Sequence, residues 1–423
     1  MTFTMTRLRV VLAACALAAC GCSCAPATSV PRSDPSGRES VTADNWVIVA
    51  PGDEGQSSPP ARLDVFSGSA HALSRVPGPP GRGMTVYPWA VSGQYLAAVT
   101  GLPQTGHAAD GVAYAFRPGG PYVRLGPAIA VYAASQPGRF WLRSATFRGP
   151  TLASLPQDCM ATEVTAQGRR VTGPLAVPCE RWIIAAAAGG FVSVLTAMPN
   201  VARWPAVMTW DFGEGGAPQT SVEAGVELWN PASGKVVRTY RIDPGWIDGA
   251  SGHYLAWQAR SQTGPHVTVA EVTNLSTGKT SRIALPVSAG DLTWRGPILA
   301  PRGPYLAWME ITRATWRKFS MEAPSGAGGA PGLPGAGRVK ILDFATGHVI
   351  LDRKITIAWA GAFDWSPDNR YLFVTASYTG LNVVPTWSAT APVRHLQLPA
   401  NGAGDSGFPD TQQLVVALRT ASH

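Results

Sequence analysis

The residues able to do chemistry are thinly spread along this chain. Its seven histidines are His71, His107, His253, His266, His348, His395 and His423. No two have the i, i+4 spacing of a helical zinc site, and no H-E-x-x-H occurs. The chain contains no G-x-S-x-G nucleophile elbow, no S-x-D-x-G-x-T-W box and no Asp-rich calcium loop. His253 and His348 fall in turns of a repeat, where a solvent or structural role is expected. No catalytic residue, metal or cofactor is assigned on these patterns.

Cysteines offer more. Six are present, and four crowd the N-terminus, leaving Cys159 and Cys179 as an even pair in the body of the chain. Between them Ala161–Ala166, a turn at Gln167-Gly168 and Arg169–Thr172 make a hairpin pattern. In an exported protein, a Cys159–Cys179 bond would clamp the open end of that hairpin. A metal or redox pair is the alternative, but no further His or Cys accompanies it.

Export is what the N-terminus suggests. Arg7 and Arg9 precede an apolar run from Val10 to Ala19, too short to span a bilayer but long enough for a signal peptide. It ends in Leu17-Ala18-Ala19-Cys20, which resembles the lipobox of bacterial prolipoproteins. That resemblance implies cleavage before Cys20 and diacylation of its sulfur, with the membrane as a partner through the lipid. Leu12-Ala13-Ala14-Cys15 is a near-copy with less apolar length ahead of it, and Cys22 and Cys24 lie close by. An ordinary secreted signal peptide is the alternative. Residues 20–42 are rich in Pro, Ser, Thr and Arg and read as a flexible tether.

Bulk composition narrows the class. A hydrophobic content of 45% with 14% charged residues supplies a large core, and 46 Gly with 37 Pro suit many tight turns. The formal charge is +8, yet only five basic residues are lysine. No Lys/Arg cluster resembles a nucleic-acid patch, so nucleic acid is not an expected partner.

A short motif positions everything else. A glycine or polar residue, an aromatic or leucine, and an apolar run recur at Gly93–Ala97, Gly138–Leu142, Gly190–Val194, Gly252–Trp257, Gly303–Trp308, Asn369–Val374 and Gln412–Val416. Several copies stand about 45–51 residues apart, close to the length of a propeller blade. Each of the first six precedes a second hairpin, as in Val226–Tyr240, Val267–Ile283 and Val339–Ile350. The motif supplies an inner strand, and its unbroken apolar run fits a strand covered on both faces.

Phe363-Asp364-Trp365-Ser366-Pro367-Asp368, followed by Tyr371-Leu372, resembles the W-S-P-D-G-x-x-L element of TolB-type and WD-type propeller repeats, with Asn369 in place of glycine. The resemblance covers roughly Val41 to Leu418 and implies an all-β fold, a single propeller; seven inner strands and seven hairpins make seven four-stranded blades the leading count. The C-terminal strand, near Leu414–Ala417, would complete the first blade and close the ring. The expected organisation is thus a signal peptide at 1–19, tether at 20–42, propeller at 43–418 and tail at 419–423.

Two stretches break the repeat at the same internal position. One, Thr196 to Ala224, holds Trp204, Trp210, Asp211 and Glu214. The other, Thr312 to Gly337, holds Arg313, Trp316 and Arg317. Tryptophans beside charges on long loops suit macromolecular contact, although the same tryptophans could pack beneath their own loops. The expected function is a lipid-anchored, extracytoplasmic, monomeric and non-catalytic scaffold for an unknown protein or cell-envelope component. A protein of envelope integrity with a small ligand is a blander version. The competing class is a propeller enzyme, lactonase- or glycan-active, with Asp243, Asp248, Asp291 and Asp364 at the channel mouth.

Overall fold

A computed structural model describes residues 46–51, 62–67, 73–81, 84–102, 111–118, 120–134, 136–147, 156–176, 182–187, 191–195, 224–230, 235–242, 245–250, 253–259, 268–322, 334–358, 363–377, 380–397 and 415–418. Val41–His423 is one compact unit. Among the described residues the strands form seven antiparallel four-stranded sheets.

The first sheet holds β1 (Trp46–Pro51), β2 (Arg62–Ser67) and β3 (Leu73–Pro77), and the second β4 (Met84–Ser92), β5 (Tyr95–Leu102), β6 (Gly111–Phe116) and β7 (Val123–Ala128). The third comprises β8 (Ala130–Ala133), β9 (Arg139–Phe147), β10 (Pro156–Thr165) and β11 (Arg170–Ala176). In the fourth are β12 (Trp182–Ala187), β13 (Phe191–Leu195), β14 (Ala224–Asn230) and β15 (Lys235–Ile242). The fifth runs through β16 (Gly245–Ala250), β17 (Tyr254–Ala259), β18 (Val269–Asn274) and β19 (Thr280–Ala284). The sixth contains β20 (Asp291–Leu299), β21 (Tyr305–Thr312), β22 (Pro334–Asp343) and β23 (His348–Ala358). The seventh is β24 (Phe363–Trp365), β25 (Tyr371–Thr375), β26 (Gly380–Pro385) and β27 (Arg394–Gln397). The last strand, β28 (Val415–Leu418), joins the first sheet beside β1, with Ile48 opposite Val416. Among the described residues the one helix, α1 (Arg313–Glu322), follows β21.

The recurring motif lies on the second strand of sheets two to seven. In the four copies whose leading residue is described, it takes a left-handed conformation, with φ of 64° at Gly93, 74° at Gly138, 75° at Gly303 and 65° at Asn369. Glycine accepts that geometry freely, and asparagine is the side chain that tolerates it best. The seventh copy differs, because Val415–Leu418 is the first strand of its sheet. The second-strand place in that sheet belongs to β1.

Burial explains the apolar runs. Along β21, Leu306 and Trp308 pack toward Ala256, Ala270 and Val272 of the fifth sheet. The alternate residues Ala307, Met309 and Ile311 pack toward Trp365, Leu372 and Val374 of the seventh. A strand covered on both faces cannot alternate apolar with polar. The same face-to-face packing joins sheets two and three through Val99, Ala113, Phe140 and Leu142.

Antiparallel order puts the hairpin turns between strands one and two, and between three and four, at one end of each sheet. The connections between strands two and three, and the links from sheet to sheet, lie at the other. Contacts between neighbours bring the turn ends together. The Gly138 amide donates to Ser92 O at 3.3 Å, and Gln167 Nε2 donates to the Tyr95 hydroxyl at 3.0 Å. Arg238 Nη1 donates to Ser276 O at 3.2 Å, and Tyr254 meets Phe344 edge-on at 5.0 Å. One backbone bond recurs there, from Ala166 N to Gly138 O, Leu275 N to His253 O, Phe344 N to Pro304 O and Thr386 N to Arg370 O, at 2.8–3.0 Å.

Candidate functional site

Both expected insertions fall between the second and third strands, in sheets four and six, and so at the loop end. Of the first, residues 196–223, with Trp204, Trp210, Asp211 and Glu214, lie outside the described residues. The second is not an irregular loop throughout. It begins as α1, and β22 starts at Pro334, earlier than the Val339 expected from the hairpin pattern.

Thr312 starts the helix, its Oγ1 accepting the Thr315 amide at 3.1 Å as an N-cap. Thr315 Oγ1 donates to Ala336 O at 2.9 Å, and Lys318 Nζ donates to Pro334 O at 2.9 Å. Phe319 is fully buried. Trp316 is half-buried and meets Trp294 of β20 edge-on at 5.6 Å, while Trp294 also lies 5.7 Å from Phe319. One face of α1 is thereby sealed on the sheet. Arg313 and Arg317, one turn apart, are exposed on the other. Of the expected contact residues, the two arginines stand free for a partner, whereas much of Trp316 is committed to its own sheet.

On the face of the sixth sheet toward the fifth lies a polar cluster that no sequence motif announces. Glu310 Oε1 accepts Trp308 Nε1 at 2.8 Å and lies 3.0 Å from Lys340 Nζ, while Glu310 Oε2 accepts the Ser288 amide at 3.1 Å. Lys340 Nζ also donates to Pro286 O at 2.7 Å. The only hint in the sequence is a charge inside each of two apolar runs, Trp308–Ile311 and Val339–Leu342.

The carboxylates of the competing reading are placed as follows. Asp243 lies outside the described residues; Asp248 is on β16, Asp291 opens β20 and Asp364 is the middle residue of β24. Each of these three strands is the first of its sheet. Asp364 is exposed by surface area, although protein atoms surround its carboxyl closely enough to desolvate it. Desolvation pushes its carboxyl up to about 6, against a lowering hydrogen bond from the Trp365 amide. That bond is 2.7 Å long.

His253 and His348 are exposed beside turns, and His395 Nδ1 lies 3.3 Å from Asn382 Oδ1. Among the described residues no three His, Cys, Asp or Glu side chains are grouped to hold a metal, and no helix is long and apolar enough to cross a membrane. Cys159 is buried on β10; Cys20 and Cys179 lie outside the described residues.

The W-S-P-D turn is a closed hydrogen-bond loop. Ser366 Oγ donates to Asp368 Oδ1 at 2.6 Å and accepts the Tyr371 amide at 3.0 Å. Asp368 Oδ1 also accepts the Arg370 amide at 3.1 Å. These bonds shape the turn.

No family model matches the chain, and no curated protein matches it. Among solved structures, a crystal structure of a protein from Lactobacillus plantarum, a structural-genomics target, is similar at a TM-score of 0.45 and 13% identity. That similarity covers 88% of this chain and 99% of that one.

Proposed function

We propose that the chain is a seven-bladed β-propeller, closed by β28 and held at the extracytoplasmic face of a bacterial membrane by a diacylated Cys20. It acts there as a non-catalytic, monomeric scaffold for a protein or envelope component. The ring is supported by contacts between the first strands of successive sheets, β4 with β8, β8 with β12, β12 with β16 and β16 with β20. β28, itself a first strand, packs beside β4. The anchor is supported by Leu17-Ala18-Ala19-Cys20 and the polar tether after it. Oxidation outside the cytoplasm is supported by Cys159, which is disulfide-bonded, and Cys179 is the proposed partner.

The observation carrying the binding role is α1, a helix added to the repeat with one face sealed and Arg313 and Arg317 facing out. Crosslinking in cells followed by affinity recovery from membranes is the test. Arg313→Glu/Arg317→Glu should lose the recovered partner while the unfolding transition stays put. Equal recovery from both chains would overturn the α1 surface. Labelling with a lipid precursor should mark the wild type and not Cys20→Ala; labelling of both would defeat the assignment of Cys20.

A second reading, a propeller enzyme, is favoured by one observation. Asp248, Asp291 and Asp364 occupy first strands of three consecutive sheets, and Asp364 has the raised pKa typical of acid–base groups. If that enzyme is metal-dependent, native mass spectrometry should show a bound ion, and chelation should lower the unfolding temperature. A metal-free protein indifferent to chelation counts against it.

A further inference from the structure

We infer that the turn end of the sheets rests on an anionic phospholipid surface. The first observation is where exposed aliphatic side chains occur. Among the described residues the exposed large hydrophobics are Val171, Val236, Val237, Val349 and Ile350, with 39–52% of each accessible. All five sit in the first three residues of a fourth strand, β11, β15 or β23, directly after its hairpin turn. They therefore share the turn end, on three sheets. Scattered exposed valines are ordinary; five confined to one end of the sheets are not.

Charge is the second observation. Arg169, Arg170, Lys235 and Arg238 are exposed in or beside two of these turns, and Lys279 and Arg282, the latter 3.6 Å from Glu271, are exposed beside the corresponding β18–β19 turn of the fifth sheet. The pattern is legible as Gly168-Arg-Arg-Val, Gly234-Lys-Val-Val and Gly347-His-Val-Ile, a glycine turn followed by base and then aliphatic. The described acids nearby, Asp343 and Asp368, are half-buried and accept turn hydrogen bonds from Ala345 N at 2.9 Å and Arg370 N at 3.1 Å. Exposed carboxylates among the described residues are Asp158, Asp352 and Asp364, none of them in these turns. Bases flanking short aliphatic tips match a surface with phosphates outside and acyl chains beneath. The α1 arginines at the loop end have no exposed aliphatic neighbours of this kind among the described residues.

The third observation is where the chain begins. β1 is the second strand of its sheet, with Trp46 opposite Leu418 and Val47 opposite Ser67. Second strands start at the turn end, so the chain preceding Trp46 joins the sheets there. On the lipid-anchor reading, the chain leading from Cys20 enters the sheets at this end. This last step rests on the lipid-anchor reading; the placement of base and aliphatic residues does not.

The test uses the full chain carrying Cys20→Ala, so that no acyl group contributes. Its co-sedimentation is measured with vesicles of phosphatidylcholine alone and of phosphatidylcholine mixed with phosphatidylglycerol. The leader is common to every variant, so only differences are read. Binding should favour the mixed vesicles and weaken with salt. At roughly fivefold per base near the surface, Arg169→Ala/Arg170→Ala/Lys235→Ala should weaken it about a hundredfold. Val236→Ser/Val237→Ser should also weaken it, and Arg313→Ala/Arg317→Ala should leave it unchanged. All these side chains are exposed, and unchanged unfolding transitions certify the fold. Equal binding to both vesicle types, or binding indifferent to the turn-end variants, overturns the inference. So does loss of a crosslinked protein by turn-end variants whose vesicle binding is intact, which would make this a protein surface. Failure of the lipid anchor alone would be seen separately, as absent lipid-precursor label on the wild-type chain.

Discussion

Glu310 on β21 and Lys340 on β22 form an ion pair of 3.0 Å inside the protein, with side chains 0% and 6% exposed. Two charges at that depth persist because the remaining hydrogen-bonding capacity is used as well, by Trp308, Ser288 and Pro286. Ser288 and Pro286 belong to the link from the fifth sheet, so the pair ties two sheets together.

Lys340→Met leaves that carboxylate buried without its cation and should cost about 3–5 kcal/mol, read from urea unfolding. Adding Glu310→Gln should recover part of the loss, since no lone charge then remains. A single variant within ~0.5 kcal/mol of wild type would show that the pair contributes little.

Asn369 combines a left-handed backbone with a bond between sheets. Its Oδ1 accepts the Arg302 amide at 3.1 Å, and its Nδ2 donates to Arg302 O. Asn369→Gly keeps the backbone geometry and loses the bonds, which should cost about 1 kcal/mol. Asn369→Ala also strains the backbone and should cost ~1–2 kcal/mol more. Chemical denaturation of the two variants checks the order; equal losses would remove strain from the account.

Much of this architecture was legible because it is local. The Gly-x-aromatic motif names a left-handed turn followed by a doubly covered strand, and the Ser/Thr-Gly turns mark the hairpins β14–β15, β18–β19 and β22–β23. What stayed hidden depends on contacts between distant residues. Nothing beside Arg313 shows that Thr315 and Phe319 find Ala336 and Trp294, so a helix read as a loop. First strands such as β8 and β24 are short and carry no glycine signal of their own. The seventh motif copy shows the limit of pattern, since Val415–Leu418 resembles a second strand but pairs as a first.

The seat of α1 depends on Gly335. A Cβ there would stand 2.3 Å from Thr315 Cγ2 and 2.9 Å from Phe319. Gly335→Ala should lift the helix, seen as faster hydrogen exchange of its amides with the rest of the sheets unchanged. Phe319→Ala should cost ~3–5 kcal/mol through the cavity it leaves. Unaltered exchange in Gly335→Ala would mean that the helix is not held by this contact.

Asp364 should make stability fall with pH. Its carboxyl is raised from the ordinary 3.8 to about 6 in the folded chain, so the folded state holds its proton more tightly than the unfolded one. The protonated form contributes fully below pH ~4, and that contribution is lost as pH rises through 6. Asp364→Asn should remove this part of the slope in unfolding free energy between pH 4 and 7. A slope identical in wild type and variant would place the titration elsewhere.

Closure of the ring by β28 is the central step of the proposed architecture. Hydrogen exchange of the full chain against one ending before Val415 tests it most directly. Without β28, a closed ring should lose protection in β1–β3 and also in both flanking sheets, β4–β7 and β24–β27. Loss confined to β1–β3, or none at all, would contradict a ring closed by the last strand.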